Sequence, residues 1–319
     1  MNSEQRAALQ AAFKDQMQAD APLAPFTSAR IGGPAEVLIS VRDADELVNA
    51  VRTVWAMNLP FVILGGGSNV LVSDLGVPGV VILNKARRIE FLQDQAGLKI
   101  KAESGASLGS LARRAAERGW SGLEWAATVP GTVGGAVVGN AGAHGGDTAG
   151  DLEMAEILQR NQGVEAWPAE KLAFEYRGSW LKRNPGQAVV VSATFELTAS
   201  TPEACKAKIQ EFVAHRQETQ PAGASMGSMF KNPPGDFAGK LIDQAGLKGL
   251  KQGGAQISQE HANFFVNLGD ARAIDVYELI EKARQEVRKQ FGIDLELEIE
   301  LIGDWKLDAE HKASQGAAA

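Results

Sequence analysis

The chain has 319 residues, 45% hydrophobic and 22% charged, with a net charge of −7, so it can bury sizeable cores and divides into two or three domains. The acidic balance argues against a general nucleic-acid binder, which would carry a basic field, although a local Arg or Lys can still hold a small anion. Cys205 stands alone, which excludes an intrachain disulfide or a cysteine metal cluster and points to a reducing, cytoplasmic setting.

Residues 1–20 read as a loosely attached helix, and the charged opening "MNSEQRAALQAAFKDQ" lacks the apolar core of a signal peptide. Strand-like alternation follows in "RIGGPAEVLISV". A helix then carries Leu47, Val48, Val51 and Trp55 at helical spacing, with Asp43 as N-cap, Glu46 three residues on, and Pro60 to end it. "FVIL" is a buried strand running into "GGGSN", and short strands continue to about residue 104. Ser107 caps the helix "SLGSLARRAAERG" and Gly119 stops it.

Trp125 to Ala143 is 19 residues without a charge, but five glycines, Pro130 and Asn140 make it too small and too broken for a membrane span. It reads as a ligand loop. Strands resume in "LEMAEILQR", "GVEAWPA" and "AVVVSATFEL". Thr201-Pro202 then opens a helix carrying Cys205, Ile209, Phe212, Val213 and Arg216, and marks a domain boundary. The last region holds the serine loop around Ser228, a helix "DFAGKLIDQAG" and a strand near "ANFFVN". A long helix over 275–290 follows, with Val276, Leu279, Ile280, Ala283 and Val287 on one face and Gly292 to stop it. "IDLELEIELIG" reads as a closing strand, and residues 304–319 as a disordered tail.

Three consecutive glycines, Gly65, Gly66 and Gly67, let the backbone bring bare amides to an anion; taken alone they fit a tight strand connection equally well. The spacing matches neither a Walker A loop nor Gly-x-Gly-x-x-Gly. A second loop, "VPGTVGGAVVGNAGAHGG", interleaves Val and Ala with its glycines, so it packs inside while its backbone stays approachable. Two such loops suggest an extended, phosphate-bearing cofactor between them. Arg177, in "FEYRGSWLK", is as compatible with a stacked surface residue as with a functional one. Glu298 shares an alternating face with Glu296 and Glu300, and spacing does not single it out. His144 and His261 are too isolated for a metal site. Ser228 lies in "GASMGSMFKNP", outside any serine-nucleophile context, so chemistry there would give a proton rather than attack.

Taken together, "TSARIGGPAE", "ILGGGSNVLVSD", "GLEWAATVPGTVGGAVVGNAGAHGG", "YRGSWLK", "GSMFKNPPGDFAGKLIDQAGLKGLKQGGAQISQEHANFFVN" and "FGIDLELEIELIG" closely resemble the UDP-N-acetylenolpyruvoylglucosamine reductase family, in order from about residue 22 to 303. The form resembled is the short one, without the extra third-domain insertion. The resemblance implies an α+β fold: a two-subdomain FAD-binding fold of the vanillyl-alcohol-oxidase (PCMH) type plus a C-terminal α+β substrate-binding domain. The expected division is 1–21 as a helical extension, 22–200 for FAD with a split near 60–85, 201–303 for substrate, and 304–319 as tail.

The resemblance also implies the reaction. Non-covalently bound FAD would carry a hydride from NADPH to UDP-N-acetylglucosamine enolpyruvate, giving UDP-N-acetylmuramate for the bacterial cell wall. Gly65, Gly66, Gly67, Ser68 and Asn69, then Pro130, Gly131, Thr132, Gly134 and Gly135, and finally Asn140 and Gly142, would hold FAD, chiefly its pyrophosphate. Arg177, Ser228 and Glu298 would be catalytic, Asn232 would bind substrate, and Lys231 would assist. A monomer without nucleic-acid, membrane or metal partners is the expectation. Three departures fall along the flavin loop: His144 where the family usually has Tyr, Gly139 for a larger residue, and "AATVPG" for the usual Ala-Gly-Ile-Pro-Gly. The rival readings are a flavin oxidase of the same fold, disfavoured because no His or Cys is placed for covalent attachment, and a non-catalytic sugar-nucleotide sensor.

Overall fold

The computed structural model describes residues 1–95 and 97–305. The chain opens with α1 (Ser3–Phe13), capped reciprocally by Asn2 and Gln5. The expected helix stops there, because Met17–Pro22 forms β1 and pairs antiparallel with β2 (Pro34–Val41). Nor is α1 loosely attached: Leu9 and Phe13 are buried in the first core. Asp43 caps α2 (Ala44–Ala56) as expected, its Oδ1 accepting from Glu46 N at 2.8 Å. Val54, rather than Trp55, completes the buried face. After β3 (Phe61–Leu64) and β4 (Val70–Val72), β5 (Val77–Asn84) inserts between β2 and β3 in the sheet order β1-β2-β5-β3. Alternation along β5 sends Val80 and Ile82 to the core under α1 and α2, and Val81 and Leu83 to the core on the other face.

The second unit begins with the antiparallel pair β6 (Ile89–Asp94) and β7 (Gly97–Glu103). Ser107 caps α3 (Leu108–Ala116), β8 (Trp120–Ser121) follows, and Gly119 between them takes φ +71. The stretch read as a loop contains a two-turn helix, α4 (Val133–Gly139), capped by Thr132. Glycine is tolerated there because α4 lies on backbone: a Cβ on Gly134 would stand 3.0 Å from Ser104 O. Next come the small ribbon β9 (Gly142–Ala143) and β10 (Gly146–Asp147), the single turn α5 (Thr148–Asp151), and strands β11 (Leu152–Gln159) and β12 (Val164–Pro168). The turn α6 (Trp180–Arg183) leads into β13 (Ala188–Ala199), giving a sheet ordered β12-β11-β13-β7-β6. Helix α7 (Pro202–Thr219), expected to open the third region, instead buries Cys205 and Ile209 in this second core, against α3 and residues 124–128. Its Pro202 start is a true helix signal.

The third unit is built from β14 (Ala224–Ser228), α8 (Ala238–Gln244), β15 (Lys251–Gln252), β16 (Ala255–Ile257), β17 (Phe264–Asn267) and α9 (Ala273–Phe291), with sheet order β14-β17-β16-β15. All five residues expected on one face of α9 are buried, and Gly292 ends it at φ +70. The closing strand is shorter than its alternation suggests. Only Glu300–Ile302 (β18) enters a ladder, and it does so parallel to β4 of the first unit. Leu71, Ala29 and Ile31 of the first unit complete the third core. Trp305, in the expected tail, packs its ring on Tyr277 at 5.4 Å; residues 306–319 lie outside the described residues.

A second tie between these units comes from Asp74, whose carboxylate accepts from Ala273 N at 2.8 Å and Ile274 N at 3.0 Å at the start of α9. It satisfies two of the four amides a helix N-terminus leaves unpaired and complements the helix dipole. Asp74→Ala is expected to cost about 1–2 kcal/mol, read as a lower urea midpoint; an unchanged midpoint would show that water replaces the carboxylate there.

Candidate active site

The two glycine loops meet back to back. Gly67 takes φ +58, and a Cβ there would stand 2.1 Å from Phe26 O, so only glycine fits. A Cβ on Gly65 would press Thr132 Oγ1 at 2.4 Å, and one on Gly66 would reach Gly131 Cα at 3.2 Å. Ser68 Oγ donates to Pro130 O at 3.1 Å, and Thr132 Oγ1 accepts from Gly135 N at 3.4 Å. Beside Gly65 and Gly66 opens a cleft of about 230 Å³, walled by Pro25, Phe26, Thr27, Ser28, Asn84, Lys85 and Arg87. Neither Lys85 nor Arg87 is ion-paired among the described residues. Bare backbone facing two unpaired cations fits a pyrophosphate. The basic run at 85–88 after a buried strand was the available sequence signal for these two residues.

Replacing Gly66 with Val puts branched carbon against Gly131 across the contact between the loops. The variant is expected to fold yet purify without cofactor colour; a folded, fully yellow protein would remove Gly65–Asn69 from the cofactor site.

Arg177 sits at the tip of a two-residue turn. Glu175 and Gly178 exchange both backbone hydrogen bonds at 3.1 Å, and Arg177 takes φ +57, a strained region for a side chain of this size, costing roughly 1–2 kcal/mol. From there Nε donates to Glu298 Oε1 at 2.6 Å and a terminal guanidinium nitrogen donates to Gly142 O at 3.0 Å. Glu298 differs from its neighbours, its side chain being 17% exposed against 72% for Glu296 and 52% for Glu300. Burial pushes the Glu298 carboxyl above its ordinary value; Arg177, Lys182 and Lys231 pull it down without cancelling the rise. Lys182 is paired with Glu300 at 2.7 Å and Lys231 with Glu296.

Ser228 ends β14, where the register with β17 shifts after Ser225 and Gly227 takes φ +78. Such a bulge re-aims the next side chain. The following residue, Met229, accepts at its carbonyl from Glu298 N at 2.9 Å, which puts Ser228 one residue from a direct backbone contact with the acid. The half-buried Ser228 hydroxyl has no hydrogen-bond partner among the described residues. Asn232 Oδ1 accepts from Ala238 N at 3.1 Å, tying its loop to α8.

Two residues expected at the cofactor have their side chains engaged elsewhere. Asn69 Nδ2 donates to Glu298 O at 3.0 Å, and Asn140 bonds Glu175 O and Ala149 N. Of the departures from the family pattern, His144 stacks on Phe212 at 4.2 Å with its Nε2 3.1 Å from Thr128 Oγ1, and a Cβ on Gly139 would meet open space.

Residues 35–159 match the family model described as FAD binding domain, and residues 217–302 match that described as UDP-N-acetylenolpyruvoylglucosamine reductase, C-terminal domain. The chain is therefore an α+β flavoprotein, an FAD-binding domain joined to a C-terminal α+β unit. It is 44% identical over 286 residues to the UDP-N-acetylenolpyruvoylglucosamine reductase of Chloroflexus aggregans, covering 88% of this chain and 96% of that one. With the enzyme of the same name from Synechocystis it shares 41% over 291 residues, 91% and 92% of the two chains. The crystal structure of the Thermus caldophilus reductase superposes with a TM-score of 0.76 at 37% identity, over 90% of this chain and 99% of that one. The chain belongs to the UDP-N-acetylenolpyruvoylglucosamine reductase family.

Proposed function

We propose that this protein reduces UDP-N-acetylglucosamine enolpyruvate to UDP-N-acetylmuramate, a peptidoglycan precursor, with NADPH as reductant, acting as a cytoplasmic monomer. The observation that carries the reading is the Arg177–Glu298 contact at 2.6 Å, with an unengaged Ser228 one residue from Met229, whose carbonyl holds the Glu298 amide. Bound FAD supplies the hydride that C3 of the enolpyruvyl group receives, and the cleft beside Gly65–Asn69 and Pro130–Gly135, with Lys85 and Arg87, would hold its pyrophosphate. The cofactor part then runs through α7 to about 219, and the substrate part from there to 303.

As C3 gains hydride, electron density moves onto the substrate carboxylate. Arg177 spends two of its five N–H donors on Glu298 and Gly142, leaving three to hold that carboxylate as charge develops. Glu298 in its protonated form donates a hydrogen bond to the same carboxylate, where an ionised acid would repel it. Ser228 Oγ delivers the proton to C2, a strongly basic carbon at that moment, and regains one from water. Lys231 and Asn232, which follow Ser228 closely in the chain, would contact the substrate.

The test is anaerobic: NADPH consumption that requires the enolpyruvyl sugar nucleotide, with a lactyl ether as product. Consumption that needs oxygen instead would favour an oxidase, and a protein that binds the sugar nucleotide without turnover would be a sensor.

A protonated Glu298 also fixes the sign of the pH dependence. Its folded-state pKa lies above the ordinary value, so activity should fall as pH rises through it. By the same sign, the stability linked to this group is greatest at low pH and is lost through that window. Glu298→Gln keeps a neutral donor and should flatten the alkaline limb while keeping far more activity than Glu298→Ala. An unchanged alkaline limb would assign the titration to another group.

A further inference from the structure

Asn140 ends α4 in the left-handed region at φ +43 and is buried. Its side chain is spent on the protein. Oδ1 accepts from Ala149 N at 3.0 Å, and Nδ2 donates to Glu175 O at 3.1 Å with Asp147 Oδ2 at 3.5 Å. Glu175 is the first residue of the turn that carries Arg177. Two further bonds join the same segments, from Ser179 Oγ to Val138 O at 2.7 Å and from Arg177 to Gly142 O. Arg183 grips the outer side of the turn through Glu175 Oε1 and Ala173 O, but both of those contacts are solvent-exposed, so water can stand in for them. The Asn140 amide comes instead from a buried side chain in a part-buried bond, where water is a poorer substitute.

We infer that Asn140 is a positioning residue for Arg177, acting through the Glu175 carbonyl, rather than a contact to the cofactor. The inference rests on the proposed function, since it is the reaction that makes the placement of Arg177 matter. The turn needs holding because Arg177 sits at positive φ. Freed of Asn140, it relaxes toward ordinary backbone angles and swings the guanidinium off the Glu298 contact. A displacement of about 1 Å at such a group costs on the order of 10²-fold in rate.

Asn140→Gly removes all three side-chain bonds yet keeps the left-handed backbone without strain. Asn140→Asp keeps the acceptor for Ala149 N and loses the Nδ2 donor to Glu175 O and Asp147 Oδ2. Both variants are expected to hold FAD within about twofold of the parent, by fluorescence titration of the reconstituted protein, with an unchanged KM for NADPH. Turnover of the enolpyruvyl substrate should fall roughly 10- to 100-fold. In an Arg177→Lys background, Asn140→Gly should add less than about twofold, because the two residues act as one unit. Full additivity in that double variant overturns the proposal, since a merely structural role would be additive. So do parent-like turnover in both single variants, loss of FAD from both, and failure of both to fold. A parent that reduces no enolpyruvyl sugar nucleotide overturns the functional reading itself; an active parent with additive variants overturns the inference alone.

Discussion

Ser228→Ala should lower turnover by about 10²–10⁴-fold, the usual worth of a positioned general acid, while leaving the yellow colour and the folded state intact. The hydroxyl makes no hydrogen bond among the described residues, so its removal strands no buried partner and the structural cost is small. Its neighbours stay fixed through Met229, whose amide donates to Asn263 O at 2.7 Å and whose carbonyl holds Glu298 N. The two halves of the reaction then separate by stopped-flow absorbance. Mixed with NADPH under nitrogen, the variant should bleach as fast as the parent. On addition of the enolpyruvyl substrate it should stay bleached while the parent recovers colour. Recovery at the parent rate would mean that Ser228 donates no proton. Failure to bleach with NADPH would make the loop structural.

Arg177→Lys should lower turnover by roughly 10²–10³-fold, comparable to losing one donor that stabilises developing charge. The charge survives, but the fork does not. Nε meets Glu298 Oε1 at 2.6 Å while a terminal nitrogen reaches Gly142 O at 3.0 Å, and a single ammonium cannot span both and still face the substrate. The left-handed turn conformation gives lysine no advantage over arginine, so strain does not offset the loss. Steady-state rates at saturating NADPH check this; turnover near that of the parent would reassign Arg177 to holding the turn.

Local signals in the sequence are legible where the structure is local. Asp43, Ser107 and Thr201 each cap the helix their position announces, because capping involves only three or four neighbouring residues. The apolar face of α9 was equally legible. Met17–Pro22 was not, because its strand exists only through pairing with β2. The turn under Arg177 was hidden as well: turns of this kind prefer glycine at the left-handed position, and in Tyr-Arg-Gly the glycine falls one residue later. Glu298 could not be told from Glu296 and Glu300 by alternation, since its burial depends on segments far away in the chain. Asn69, which holds the Glu298 carbonyl, is 229 residues distant. The family resemblance proposed the site residues; only the folded chain brings Arg177 and Glu298 into contact and engages the Asn69 and Asn140 side chains with protein atoms.

That span of 229 residues also orders events during synthesis. Both glycine loops and the arginine turn leave the ribosome well before Glu298, and β18, two residues beyond it, closes onto β4 only at the end. Contacts of such long sequence separation form late because the intervening chain must first be gathered in. A nascent chain can therefore complete its cofactor cleft while its acid is still missing. An arrested or C-terminally clipped product would have the means to hold FAD with no carboxyl group to pair with Arg177, leaving a flavin open to oxygen rather than committed to the sugar nucleotide.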